Sequence, residues 1–306
     1  VESQSFHSEG VSTKATDHGS HSEGYFTIAR KLYSHAEGSG SLSAGIASHA
    51  EGSLTKAEGE SSHAEGNHTK ASGLGSHTEG FETSASFDYS HAEGLRSKAA
   101  GYGAHSEGYG TLASATGSHA EGSGSIASND YSHAEGVLTS AIQLGAHAEG
   151  SGSVANGNFG HAEGEQTLAE GVGSHAEGIG SISSGSYSHA EGLYTTSTGR
   201  GSHTEGSGSA ATAEGAHAEG LLTTALGQFS HVEGAATTTS GDYAHSEGTY
   251  TQAIGTGAHS EGDHTIALGD YSHAEGDHTT AEGGAHSEGI YTTASGVHSH
   301  AEGSSS

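Results

Sequence analysis

The tetrapeptide His-x-Glu-Gly occurs 22 times in 306 residues, almost always at a spacing of 14. The register runs from His7 through His21 and His35 to His273, slips by one residue to His286, and is restored at His300. A strict short period specifies a stack of equivalent coils, because each unit buries its inner face only against its neighbours. The expectation is one repeat array over residues 1–306, about 22 coils, with a single 13-residue coil at 273–285.

Composition alone points elsewhere. Leu, Ile, Val and Phe together number 36, and the formal charge is −29, a balance typical of disordered chains. The period reverses that reading, since a repeated backbone satisfies its polar groups from rung to rung and needs only a narrow core. The charge is also soft. Counting all 27 histidines as protonated brings −29 to −2. Eight Lys and Arg make the chain a poor partner for nucleic acid. Cysteine is absent, which removes disulfides and thiolate metal sites. No run of about 18 apolar residues is present to span a membrane.

Within the repeat, numbered from its His, positions 1, 3 and 4 are invariant. Position 2 is Ala, Ser or Thr except at Val232, position 7 is Thr or Ser, and position 9 is Ala, Ser or Thr. Position 14 is Ser, Ala or Gly except at Phe6. Position 11 is usually Gly, with Asp17, Lys31 and Phe87 as early exceptions. The two halves share a heptad, [Ser/Thr]-x-Ala-x-Gly-x-x, which lacks the large apolar a and d residues of a coiled coil. Small residues alternate with distinctive ones, the period-two signature of a strand. Ser/Thr, Ala and Gly are therefore placed inward, positions 1, 3, 8 and 10 outward, and Gly with the two residues after it at the turns. The fold class expected is all-β, a parallel β-solenoid with 14 residues and two short strands per coil. Buried hydroxyls then require partners along the stack.

A second period of 28 residues marks the turns. Position 13 alternates Tyr131, Gly145, Phe159, Gly173, Tyr187, Gly201, and position 6 alternates in the opposite phase from Gly124 to Tyr194. A large side chain on one coil would fill the space left by Gly on its neighbour. Asp130, Tyr131, Asp270 and Tyr271 lie near turns and read as turn chemistry, with contact to a receptor as the alternative.

The two strands differ in a way that bears on function. One repeats His and Glu without variation, while the other shows Ile28 and Arg30, Lys56 and Glu58, Leu112 and Ser114. A solvated face tolerates drift; a face that meets an identical periodic surface does not. In register, however, Glu stands over Glu at strand spacing, a repulsion of roughly 1 kcal/mol per step even in bulk water. The adjacent histidine column is the nearest means of neutralising it, through protonated His or a ring N–H donated to Glu. The candidate interface is therefore this ladder. It comprises His35 and Glu37, His49 and Glu51, His63 and Glu65, His91 and Glu93, His119 and Glu121, and His133 and Glu135. It continues through His147 and Glu149, His161 and Glu163, His175 and Glu177, and His189 and Glu191.

Ser-His-Ala-Glu-Gly every 14 residues, with Thr-x-Ala-x-Gly between, resembles the YadA-type head repeat of trimeric autotransporter adhesins across residues 6–303. His-Ala-Glu-Gly variants are similar to repeats in surface and phage tail-fibre proteins. The resemblance implies a left-handed parallel β-roll, a homotrimer, and an extracellular structural or adhesive rod on a cell surface or virion. A host or surface receptor, glycan or protein, would be its further partner. The family's Val and Ile columns stand here as His and Glu, so an axis lined by them would be polar.

Other chemistries fit less well. His and Glu two apart on a strand share a face and are metal ligands by type, so a row of divalent ions such as Zn²⁺ or Ni²⁺ is the alternative to a cofactor-free ladder, and a metal-binding or self-assembling filament the alternative function. One strand supplies only two ligands per rung. The calcium-binding nonapeptide Gly-Gly-x-Gly-x-Asp is absent, and the position-7 Thr column, facing inward, is unsuited to ice. Adjacent Ser and His point to opposite faces and form no nucleophile–base pair, so no catalytic residue is assigned. His68, His264 and His278, all at position 6, fall at turns, as do His18 and His298.

Overall fold

The computed structural model describes residues 5–305, and every regular element among them is a β-strand. The fold is the expected parallel β-solenoid. A typical coil carries a five-residue strand, such as His91–Leu95, and a two-residue strand, such as Lys98–Ala99; at His77–Thr78 the long strand shortens to two residues. Like pairs with like in register: His91 with His105, Glu93 with Glu107, Gly94 with Gly108, and Ala99 with Ala113 on the other side. The His91 N–H donates to the Ala104 carbonyl at 2.9 Å, a bond repeated coil after coil.

The chain divides into two compact units, residues 1–152 and 153–306. The first runs its long strands from His7–Val11 to His147–Ser151. The second begins with the short strand Val154–Ala155 and ends with His300–Ser304. Inside the second, the 13-residue coil keeps the ladder intact: His273 pairs with His286 and Thr280 with Thr293. The missing residue comes out of the turn after Ala281, where Gly283 and Gly284 both take positive φ, 52° and 69°.

The core is as thin as the sequence requires. Ala50, Ala57, Ala64 and Ala71 form one fully buried row, and Val232 heads the buried side chains by volume. Hydroxyls take up the rest, and they find partners in three directions rather than along the stack alone. Across the coil, Ser106 Oγ lies 2.8 Å from Thr111 Oγ1, and Ser43 Oγ lies 2.6 Å from Ser48 Oγ. At the turn, Ser202 Oγ donates to the Gly199 carbonyl at 2.7 Å. Along the stack, Ser125 Oγ donates to the Gly136 carbonyl and accepts from Thr139 Oγ1 at 2.9 Å. Ser153 and Thr167 repeat that pairing, as do Ser209 and Thr223. The alternation of Ser and Thr at position 7 thus shares the 28-residue period of the turns. Thr69 and Thr83, which have Thr rather than Ser below them, leave their hydroxyls without a hydrogen-bond partner within the chain, and so does Thr55, although Ser41 lies below it.

One expectation needs correction. The position-4 Gly is not the start of a turn; it is the fourth residue of the long strand. At Gly136 φ is +116°, a backbone that L side chains rarely adopt, and a Cβ there would overlap the Gly150 carbonyl oxygen on the next coil. That contact accounts for the invariance of position 4. The turns lie at positions 6 and 13, both left-handed: Tyr131 has φ 57° and Leu138 has φ 55°. Tyr131 lies over the space left by Gly117, whose Cβ would come 3.0 Å from the Tyr131 ring, and Leu138 covers Gly124 likewise. The packing origin of the long period is therefore visible. Asp130 belongs to the same device, its carboxylate accepting the Thr116 N–H at 3.0 Å, and Asp270 accepts from Thr256 at 2.9 Å.

Candidate functional site: the histidine–glutamate face

The invariant Gly and the buried position 2 fix the long strand so that positions 1 and 3 emerge side by side on its outer surface. Within each unit the imidazoles stack directly over one another. Ring centroids of His35 and His49 are 4.6 Å apart with planes 4° from parallel, and those of His119 and His133 are 4.7 Å apart at 6°. In the second unit His175 and His189 stack at 4.7 Å and 16°. The glutamates form a parallel column beside them, half exposed, as at Glu121 and Glu135.

The two columns approach without bonding in the way expected. His35 Nε2 lies 3.6 Å from Glu37 Oε2, His63 Nε2 3.9 Å from Glu65 Oε2, and His119 Nε2 4.0 Å from Glu121 Oε2. These separations are too long for hydrogen bonds. The pair at the end of the second unit, His300 and Glu302, is closer, at 3.2 Å. At His35, His49, His91, His105 and His175 Nε2 is sealed from solvent and has no hydrogen-bond partner within the chain.

The stacking also disfavours protonation. Burial, and then the charges that His77 and His105 would carry, hold His91 below the ordinary histidine value, although Glu79 and Glu107 pull it upward. The same order of causes lowers His49, between His35 and His63, and His133, between His119 and His147. At His49, His91 and His133 the imidazole is therefore held toward its neutral form beside the acidic column. Every residue of the ladder anticipated from the sequence, from His35 and Glu37 to His189 and Glu191, lies on the long strand in register, as the spacing predicts.

Metal-ligand types converge here. His35, Glu37 and His49 place one ligand atom each within 4.8 Å of one another, as do His49, Glu51 and His63, and His91, Glu93 and His105. Sequence reasoning missed a smaller column at the position-6 turn. His264 Nδ1 lies 2.8 Å from Asp263 Oδ1, and His278 makes the same contact with Asp277 at 2.5 Å. The two rings stack at 4.7 Å, flanked by Tyr250 and Tyr291. The twice-repeated Gly-Asp-His-Thr at 262–265 and 276–279 was the signal for it.

On the opposite side the short strand presents no such column. Its outward residues pair ad hoc, Lys70 with Glu58 at 3.1 Å and, at the adjoining turn, Arg96 with Glu82 at 2.8 Å.

The family model for the YadA head domain repeat, a unit of two copies, matches residues 162–188, 176–202, 246–272 and 260–284. The second unit thus carries YadA head repeats, in agreement with the resemblance of the 14-residue motif and with the solenoid. No curated protein matches the chain. No helix among the described residues is long and apolar enough to cross a membrane.

Proposed function

We propose that this chain is a non-enzymatic structural or adhesive protein of the cell surface, assembled as a homotrimer through its histidine and glutamate columns. The YadA head is an adhesin module, surface-exposed and typically trimeric, and this supports both the location and the number of chains. One observation carries the reading. Position 4 is invariant because the coil cannot close without Gly, whereas nothing in the coil requires His at position 1 or Glu at position 3. Their side chains face outward, make no hydrogen bond in most coils, and set like charges over one another. Such uniformity, held against a repulsive cost, points to a partner surface with the same period, and another copy of the chain has it. The single array over 1–306 belongs to the same proposal. The variable short strand and turns are left to meet a receptor, glycan or protein.

Sedimentation equilibrium tests the assembly. The expected mass is three times that of the 30.3 kDa chain. A monomer, or an open-ended series of sizes, overturns the trimer. The face is tested by Glu121→Lys with Glu135→Lys, which should break the assembly at concentrations where the parent holds. Ile126→Lys, on the short strand between them, should leave the mass unchanged.

A further inference from the structure

The unbonded spacing of the two columns has a chemical use. A divalent ion with bonds of about 2.0–2.1 Å to an imidazole nitrogen and a carboxylate oxygen holds those atoms about 3.3 Å apart at a tetrahedral angle and about 4.1 Å apart when collinear. The separations of 3.6 Å at His35–Glu37, 3.8 Å at His49–Glu51 and 3.9 Å at His133–Glu135 fall inside that span, beyond hydrogen-bond reach. The nitrogen concerned has no partner within the chain at His35, His49 or His133, and it is screened from bulk water. Neither column has a competing ligand in Cys, which the chain lacks.

We infer that the histidine–glutamate face is a linear array of sites for a borderline divalent cation of the Zn²⁺ type, each held by Nε2 and a carboxylate oxygen of one coil. Ring geometry decides between one coil and two. Stacked imidazoles 4.6–4.9 Å apart direct their lone pairs in parallel, so an ion in the plane of one ring lies out of bonding reach of the next. A site therefore belongs to a single coil, and its remaining positions go to water or to the same columns of a neighbouring chain. Charge then sets the occupancy. Dications on successive coils repel four times as strongly as unit charges at the same spacing, and each coil offers one carboxylate on this face. Neutrality is reached with one ion for every two coils, about 11 for 22 copies of the motif. The inference concerns the same face as the proposed assembly but does not depend on the number of chains.

The test is equilibrium dialysis of the chelator-stripped full chain against ZnCl₂, with bound zinc counted by elemental analysis and X-ray absorption recorded on the loaded protein. The expected result is saturation near 11 ions per chain, with imidazole scattering in a first shell of nitrogen and oxygen. Glu93→Gln, Glu107→Gln, Glu121→Gln and Glu135→Gln in one chain should lower saturation by about two ions, and His105→Phe with His119→Phe, which keeps the ring stack, by about one. Saturation at one or two ions, or uptake that these variants leave unchanged, overturns the array. The second outcome would place zinc at the Asp263–His264 and Asp277–His278 turn instead. A first shell of oxygen without imidazole also overturns it. Sedimentation of the same samples separates the two ideas. A metal-free trimer without zinc uptake defeats the array alone, and a zinc-loaded monomer defeats the trimer alone.

Discussion

The two strands of each coil grow from the same heptad, yet they obey different constraints. On both, the inward residue is small and sealed: Ala92 and Ala134 on the long strand, Ala99 and Ala141 on the short one. Outward, the long strand repeats one pair of residues and the short strand changes from Lys98 to Leu112 to Ile126. The glycines diverge too. Position 4 has positive φ throughout, while its heptad equivalent, position 11, has it only at Gly283 in the 13-residue coil among the described residues, and Ala115 and Ala213 occupy that position naturally. Packing inside the chain therefore explains the uniformity of positions 2, 4 and 14, and it leaves that of positions 1 and 3 to something outside the chain. Substitutions that treat the two strands alike in chemistry should separate them in consequence.

The largest separation is expected at the glycines. Gly136→Ala combines a positive φ with a Cβ on the next carbonyl and should cost about 3 kcal/mol or more, read from the urea midpoint. Gly171→Ala meets a neighbouring carbonyl as well, but its φ suits an L residue, and the loss should be less than half as large. Equal losses would mean that crowding alone, not backbone conformation, fixes position 4.

Next in size is overpacking. Ala148→Leu adds three carbons to a fully buried position whose coil is one small side chain deep, and about 3 kcal/mol should be lost. A well-tolerated Leu there would show that the coils separate readily, and would undo the account of the thin core.

Much of this was legible in the sequence, because the 14-residue period fixes pairing: once His91 stands beside His105, every other register follows. The inward set and the turn alternation were readable for the same reason. What was not readable depends on distances smaller than a residue. The alternation of Gly with a bulky partner shows where the rings pack, but the strand nature of position 4 rests on a φ value that composition does not report. The lowered protonation of His49, His91 and His133 was not readable because His and Glu were weighed as a pair. At His91 the stack adds an imidazole neighbour on each side, and burial with their repulsion outweighs the carboxylates.

That correction has a measurable sign. The lowered histidines, among them His49, His91, His133 and His189, bind protons more readily when unfolded than when stacked. Stability they contribute is complete above the unfolded value near 6.5 and is lost as pH falls below it toward the folded values. With chelator present, the thermal midpoint should fall between pH 7.5 and pH 5.5. Replacing His91, His119 and His133 by Phe should flatten the slope, because those rings stack without titrating. A midpoint that rises on acidification would restore the ion-paired ladder, since a protonated His held by Glu has the opposite linkage.

The smallest effect should come from the short strand's outer surface. Leu112 is only half-buried between Lys98 and Ile126, and Leu112→Thr keeps a strand-compatible side chain while removing an apolar one. The change should stay within about 0.5 kcal/mol, as substitutions away from packing and caps generally do. It should also leave oligomeric mass and zinc uptake where they were, because it lies across the coil from His105 and Glu107. Were Leu112→Thr to disturb either property, the short strand would share the interface. The uniformity of the long strand would then no longer mark the only surface under external constraint.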